Sequence, residues 1–543
     1  MDAGTRFKQL SEEAFDWFMQ VSPMTATFLG IHDYDGELGD MSPEAIEGNI
    51  SRAHRYLDAL GRIDLAELDR SDQIDYLLIR SNLESELLEL EGARVHETRP
   101  SNYPDACVHS IYLLLVREFA PLPERMASAL SRLRQVPEYL ERARRNIKTP
   151  SEVSTRIALE STAGGVAFFK NMIPLYASQV PALETDLLKA NADAISALER
   201  FSGFLKDILP AARGDFALGY QLFNQKMKKT HFLPYDADAL LAKGQELLRE
   251  TEEELKAAAA AVYPGRDWRE VLDGLKEHHL EDPAGLLNCY RAEIGRVKQY
   301  VIDHDIVDIP EGEELRVVET PEFLRHLIPY AAYMKPAPFE KEQAGQFLVT
   351  PVDLSAPKEV QIEKLKGHNK YGIPITTLHE AYPGHHLQLV WANRAPTRIR
   401  KAQVSTLFAE GWAFYCEELM DQLGYINQPE TKLARLADQL WRAARVVIDA
   451  SLHTGRMSFD EAVSFLVNRA RLEESNAVAE VKRYTESPTQ PMSYLIGKLE
   501  ILDIAAEYKK RAGDRFNLKQ FHNQLLSHGT LPPALIRKAL FEV

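Results

Sequence analysis

"DADALLAKGQELLRETEEELKAAAAA", Asp236 to Ala261, decides the fold class of this 543-residue chain. Leu240, Leu247, Leu248 and Leu255 fall on one face with acidic and basic residues between them, the spacing of an amphipathic helix. The alanine run 257 to 261 has the highest intrinsic helix propensity, and the "VYPG" that follows cannot continue a helix cheaply. The period recurs upstream in "PERMASALSRLRQVPEYLERARRNI", Pro123 to Ile147. There Met126, Leu130, Leu133 and Val136 step by four, three and three, with a kink or restart expected at Pro137. Strand signals are confined to "ELRVVETP" around Val317 and Val318 and "GQFLVTPVDL" around Phe347 to Val349. The expectation is a mainly α protein in two helical lobes around a cleft, residues 1 to 300 and 301 to 543, with a small β-sheet near the site.

Composition removes several function classes. Acidic residues outnumber basic ones by 80 to 64, a net charge of −16, so no basic surface for a phosphate backbone is expected and nucleic acid is excluded as a partner. No stretch of 18 residues lacks a charged side chain, and "MDAGTRFKQLSEEAFDWF" at the N-terminus has neither a basic nor an apolar leader region. A soluble, cytoplasmic protein without membrane association is expected. The three cysteines, Cys107, Cys289 and Cys416, are widely spaced, so any metal must be held by nitrogen and oxygen.

"TTLHEAYPGHHLQLVW", Thr376 to Trp391, carries the chemistry. A zinc ion that activates water needs about three protein ligands, an open position and a carboxylate base. The compact helical solution, H-E-x-x-H, is absent: after His379 and Glu380 come four residues, and only then His385 and His386. On an ideal helix His386 would lie near the face of His379 but about 10.5 Å further along the axis, and His385 about 120° away. Pro383 forbids that ideal helix, because it removes a backbone donor and clashes with the carbonyl of His379. A bulge at Pro383-Gly384 favours His385 as second ligand and an undistorted helix favours His386; the residues leave both open. "LFAEGWAFYCEEL" supplies the third ligand, with Glu410 preferred over Glu417 and Glu418 because Gly411 and Ala413 permit close approach of the two ligand helices. Tyr494 is a candidate oxyanion donor, and Arg445, His453, Arg483 and Tyr484 are candidates to line the cleft or grip a substrate carboxylate. "GQFLVT" is expected beside the metal, pairing with an extended substrate.

The blocks "HEAYPGHHLQ", "FAEGWAFYCEEL", "RVVIDASLHTGRMSFDEA" and "SPTQPMSYLIGKLEI", with "SPMTATFLGIHDYDGEL" near the start and "FHNQLLSHGTLP" near the end, resemble the bacterial DUF885 family along essentially the whole chain. That resemblance implies a zinc-peptidase-like helical body. It implies a single Zn2+ held by His379, one of His385 and His386, and Glu410, with Glu380 as general base.

The expected function is thus a zinc-dependent metallopeptidase acting on short peptides, in a carboxypeptidase or dipeptidase mode. A metal-dependent amidohydrolase on non-peptide amides and a non-catalytic metal-binding or scaffold protein are the alternatives. A di-iron oxidase would need Glu-x-x-His pairs, and none of the 16 histidines has glutamate three residues before it. The partners expected are a short peptide and, as an open alternative, further copies of the chain in a homo-oligomer.

Overall fold

A computed structural model describes residues 2–321, 325, 328, 330–542. Among the described residues the chain is 70% helical, with one small three-stranded sheet, so the helical period dictates the architecture. Two compact units divide it. The first comprises Met1–Thr230 with Ala337–Glu342, and the second His231–Pro336 with Gln343–Val543. Among the described residues no helix is long and apolar enough to cross a membrane.

In the first unit, helix α1 (Leu122–Asn146) buries Met126, Leu130, Leu133 and Val136 as the spacing requires. It neither stops nor restarts at Pro137. The fully buried Arg132 of this helix donates to the carbonyls of Glu37 and Ser110 and to the Thr27 hydroxyl, so its charge is carried by hydrogen bonds and not by a carboxylate contact. The segment Ala337–Glu342 belongs to this unit. Its Phe339 amide donates to the carbonyl of Leu29 at 3.0 Å.

In the second unit, α2 (Ala237–Val262) is capped by Asp236, whose side chain accepts from the amide of Ala239. Its buried stripe includes Leu240, Gly244, Leu248, Thr251, Leu255 and Ala259. Leu247 lies at the margin of that stripe, only partly buried, because the contact line follows the i, i+4 positions of Gly244. There an added Cβ would lie 2.8 Å from Val446. Helix α3 (Leu286–Asp303) precedes the strands β1 (Glu314–Glu319), β2 (Ala331–Met334) and β3 (Ala344–Val349). β3 is central, parallel to β1 and antiparallel to β2, with Phe347, Leu348 and Val349 buried. Both of its edges are occupied, which corrects the expectation that "GQFLVT" pairs with a substrate strand: an added strand needs a free edge.

The remaining elements position the site. They are α4 (Gly372–Glu380), α5 (His385–Ala392), α6 (Thr406–Gln422), α7 (Pro429–His453), α8 (Glu474–Glu486) and α9 (Ser493–Ala512). Helices α6 and α9 cross in direct backbone contact. A Cβ on Gly411 would lie 2.4 Å from Gly497, and one on Gly497 would lie 1.9 Å from the carbonyl of Leu407. The small residue at 411 therefore admits the helix of Tyr494, and not the histidine helix for which it was expected.

Candidate metal centre

The site starts from one break in a helix. Helix α4 ends at Glu380, Tyr382-Pro383 is a cis peptide, and α5 begins at His385. Backbone bonds close the end of α4, from Ala381 N to Thr377 O at 2.9 Å, and the start of α5, from Gln388 N to Gly384 O at 3.1 Å, and Leu387 N bridges the turn to Ala381 O at 3.4 Å. Trp412 of α6 donates from its indole N–H to the carbonyl of Pro383 at 2.8 Å. Gly384 has no room for a side chain, since a Cβ there would lie 2.0 Å from the carbonyl oxygen of His379 and 2.3 Å from that of Leu378.

This turn brings His385, and not His386, beside His379. Their rings lie 4.7 Å apart and perpendicular. His379 Nε2 and His385 Nε2 face the same Glu410 Oε2 at 3.5 and 3.4 Å. Ligand atoms of His379, Glu380 and His385 also lie within 4.8 Å of one another. Behind the cluster, Glu417 Oε1 lies 2.8 Å from His379 Nδ1 and is 1% exposed, so it sets the ring's tautomer and direction. Glu380 Oε2 accepts from the backbone N–H of Tyr333 at 3.2 Å. Glu418, the other late candidate ligand, pairs with the buried Lys498.

His386 is fully buried and points elsewhere. Its Nε2 meets Glu313 and its Nδ1 lies 3.1 Å from the Tyr333 hydroxyl, while the Tyr382 hydroxyl donates to the same Glu313. Burial opposes ionisation of Glu313, but His386, Tyr382 and Lys298 hold its carboxyl down to about 2. Bare backbone at Gly345 leaves the space for this knot, because a Cβ there would lie 2.6 Å from the Tyr333 hydroxyl and 2.8 Å from His386 Nδ1.

The residues fit a zinc ion. The Glu410 oxygen that faces both imidazoles is buried without a hydrogen-bond partner. Separations of 3.4 to 3.5 Å exceed the roughly 2.7–2.9 Å of a charge-assisted hydrogen bond. They match the edge of a tetrahedron with legs of about 2.0–2.2 Å, which is about 3.3–3.6 Å. Burial disfavours the charged form of His379, yet Glu410 and Glu417 push it up to about 10. Glu410 sits well below the usual carboxylate range against the same burial, drawn down by His385 and His379. Such a set exchanges its protons for a cation.

The other candidates from the sequence divide into two groups. Tyr494 stacks on His379 with ring centroids 6.3 Å apart, and its hydroxyl makes no hydrogen bond among the described residues. Arg445 lies 4.5 Å over the Tyr494 ring and is 4% exposed, donating to the Tyr484 hydroxyl at 2.8 Å and to Glu480 at 2.9 Å. Arg483 also donates to Glu480 at 2.9 Å, and Tyr484 donates to it at 2.6 Å. Burial would raise Glu480, but the two guanidinium groups hold it to about 2. His453, fully buried, bonds the carbonyl of Tyr484 at 3.0 Å and is not brought to the cluster. Glu313, Tyr333 and Tyr382 went unnoticed in the sequence. Only the Y-P-G-H-H run hinted that Tyr382 holds a break.

The bacterial family of unknown function DUF885 matches residues 23–540. The chain belongs to that family. Two solved structures share the fold. The "putative lipoprotein of unknown function from Shewanella oneidensis" has 26% identity and a TM-score of 0.84, over 99% of this chain and 100% of that one. The "putative lipoprotein from Colwellia psychrerythraea" has 20% identity and a TM-score of 0.82, over 99% and 98%. No curated protein matches the chain.

Proposed function

We propose that this DUF885 member is a zinc-dependent hydrolase that cleaves short peptides in a carboxypeptidase or dipeptidase mode, with His379, His385 and Glu410 as ligands. The observation that carries this reading is the pair of 3.4 and 3.5 Å separations around one orphaned carboxylate oxygen, beside the Glu380 carboxylate. A bound zinc would polarise the scissile carbonyl and make water acidic near neutral pH. Glu380, oriented by the Tyr333 N–H, takes a proton from the attacking water and passes it to the leaving amine. The Tyr494 hydroxyl donates to the carbonyl oxygen as negative charge develops there. Two guanidinium groups sharing one carboxylate leave one positive charge uncompensated beside Tyr494, which supports a substrate ending in a free carboxylate.

Metal analysis together with turnover of a peptide library tests this. Glu380→Gln is expected to keep its zinc and lose about 10²–10⁴ of the rate; normal turnover would remove Glu380 from the base role. Zinc without hydrolysis of any peptide would favour the non-peptide amide or scaffold alternatives. The neighbours described as lipoproteins favour a cell-envelope location over the cytoplasm expected from composition, and fractionation of the native host separates the two.

A further inference from the structure

Away from the metal cluster, the second unit contains a cavity of about 400 Å³. Its walls are the start of α4, the segment carrying His278, part of α3 and the turn from α6 into α7. Most ionised groups around it are already paired. Arg296 is bound by Glu293, which also accepts from Tyr425 at 2.7 Å, while Glu430, in the first turn of α7, accepts from the neutral Tyr263 hydroxyl and keeps its charge. Lys370 is the exception among the cations. It lies 5.5 Å over the Tyr371 ring and faces no carboxylate among the described residues. His278 sits edge-on to that ring at 5.6 Å, with both ring nitrogens uncommitted among the described residues.

Helix α7 opens into the same cavity. No side chain caps its N-terminus at Gln428, and Pro429 has no N–H, so the amides of Glu430 and Thr431 present the positive end of a 25-residue helix. Within that turn Thr431 is only 5% exposed and lines the cavity. Its hydroxyl makes no hydrogen bond among the described residues. A helix end, a buried free hydroxyl and an unpaired ammonium converge on one space, whose remaining wall is apolar through Ile373, Pro374 and Ile426.

We propose that this cavity is a second ligand site, for a small molecule with one carboxylate and a short apolar body. Lys370, the Thr431 hydroxyl and the amides of Glu430 and Thr431 hold the carboxylate, and Ile373 and Ile426 hold the body. A single ammonium next to the Glu430 carboxylate of the first turn suits a monoanion better than a phosphate dianion, so a carboxylate is preferred. The volume lies at the small end of ligand pockets, roughly 300–1,000 Å³. The site does not depend on the hydrolase reading.

Isothermal titration of the full chain with N-acetyl-leucine, N-acetyl-leucinamide and inorganic phosphate tests it. The acid is expected to bind wild type and His379→Ala equally, and at least tenfold more tightly than the amide or phosphate. Lys370→Gln, at an exposed position, should weaken the acid at least tenfold, and Thr431→Val several-fold. Absence of binding, unchanged affinity in Lys370→Gln, or equal affinity for phosphate would overturn the proposal. So would loss of binding in His379→Ala, which would place the acid at the metal cluster.

Discussion

Replacing Gly384 by alanine would put a methyl carbon 2.0 Å from the His379 carbonyl oxygen and 2.3 Å from that of Leu378. Both atoms are backbone, so no side-chain rotamer relieves the contact. Ordinary van der Waals contact for a Cβ begins at 3.4 Å, so the α4–α5 turn must open by more than about 1 Å. Overpacking by one methyl group costs about 1–3 kcal/mol where side chains can shift, and here the helix ends must move instead. Opening also strains the Trp412 bond to Pro383 and the Gln388 bond to Gly384, each worth about 1 kcal/mol. The expected total is about 3–5 kcal/mol, a large fraction of a typical native stability. Because the chain has two units, a single unfolding free energy is ill-defined. The suitable assay is amide exchange at Leu387 and Gln388, with zinc stoichiometry measured alongside. Gly384→Ala should exchange these amides at least 100-fold faster and bind substoichiometric zinc, since the turn aims His379 and His385 at Glu410. Wild-type protection together with a full zinc complement would refute the argument that space at Gly384 shapes the site.

Glu417→Gln removes the carboxylate behind His379 while keeping its volume, and should weaken zinc about 10–100-fold, or about 1.4–2.8 kcal/mol, in a chelator competition. Single alanine variants at the two histidines should differ in bound zinc: His385→Ala loses it, whereas His386→Ala retains part of it but melts earlier, because the buried Glu313 loses one of its three partners and a cavity opens beside it. In the first unit, burial opposes the charge of His32, but Asp35 and Glu340 raise it from 6.5 to about 9. Its contribution is therefore complete below pH 6.5 and is lost as pH rises through about 9. The apparent melting temperature should fall across that window, and His32→Asn should flatten the fall.

Local rules account for much of this protein. The 3.6-residue period at Met126 to Val136 and the alanine-rich end of α2 determined that it is helical, because propensity and amphipathic spacing act within a turn or two of one helix. The residue types of "HEAYPGHHLQ" likewise determined which imidazoles and carboxylates are available for chemistry, and Pro383 that the helix must break. Which histidine meets Glu410 was decided elsewhere. The ring of His386 is claimed by Tyr333 and Glu313, 53 and 73 residues before it, and no local pattern distinguishes Glu313 from Glu311 or Glu314. Tertiary packing also decided that Gly411 admits Gly497, that β3 lies between two partners and that Glu417 lies behind His379. A side chain's direction depends on the space and partners that distant segments leave for it, and those exist only once the second unit has packed.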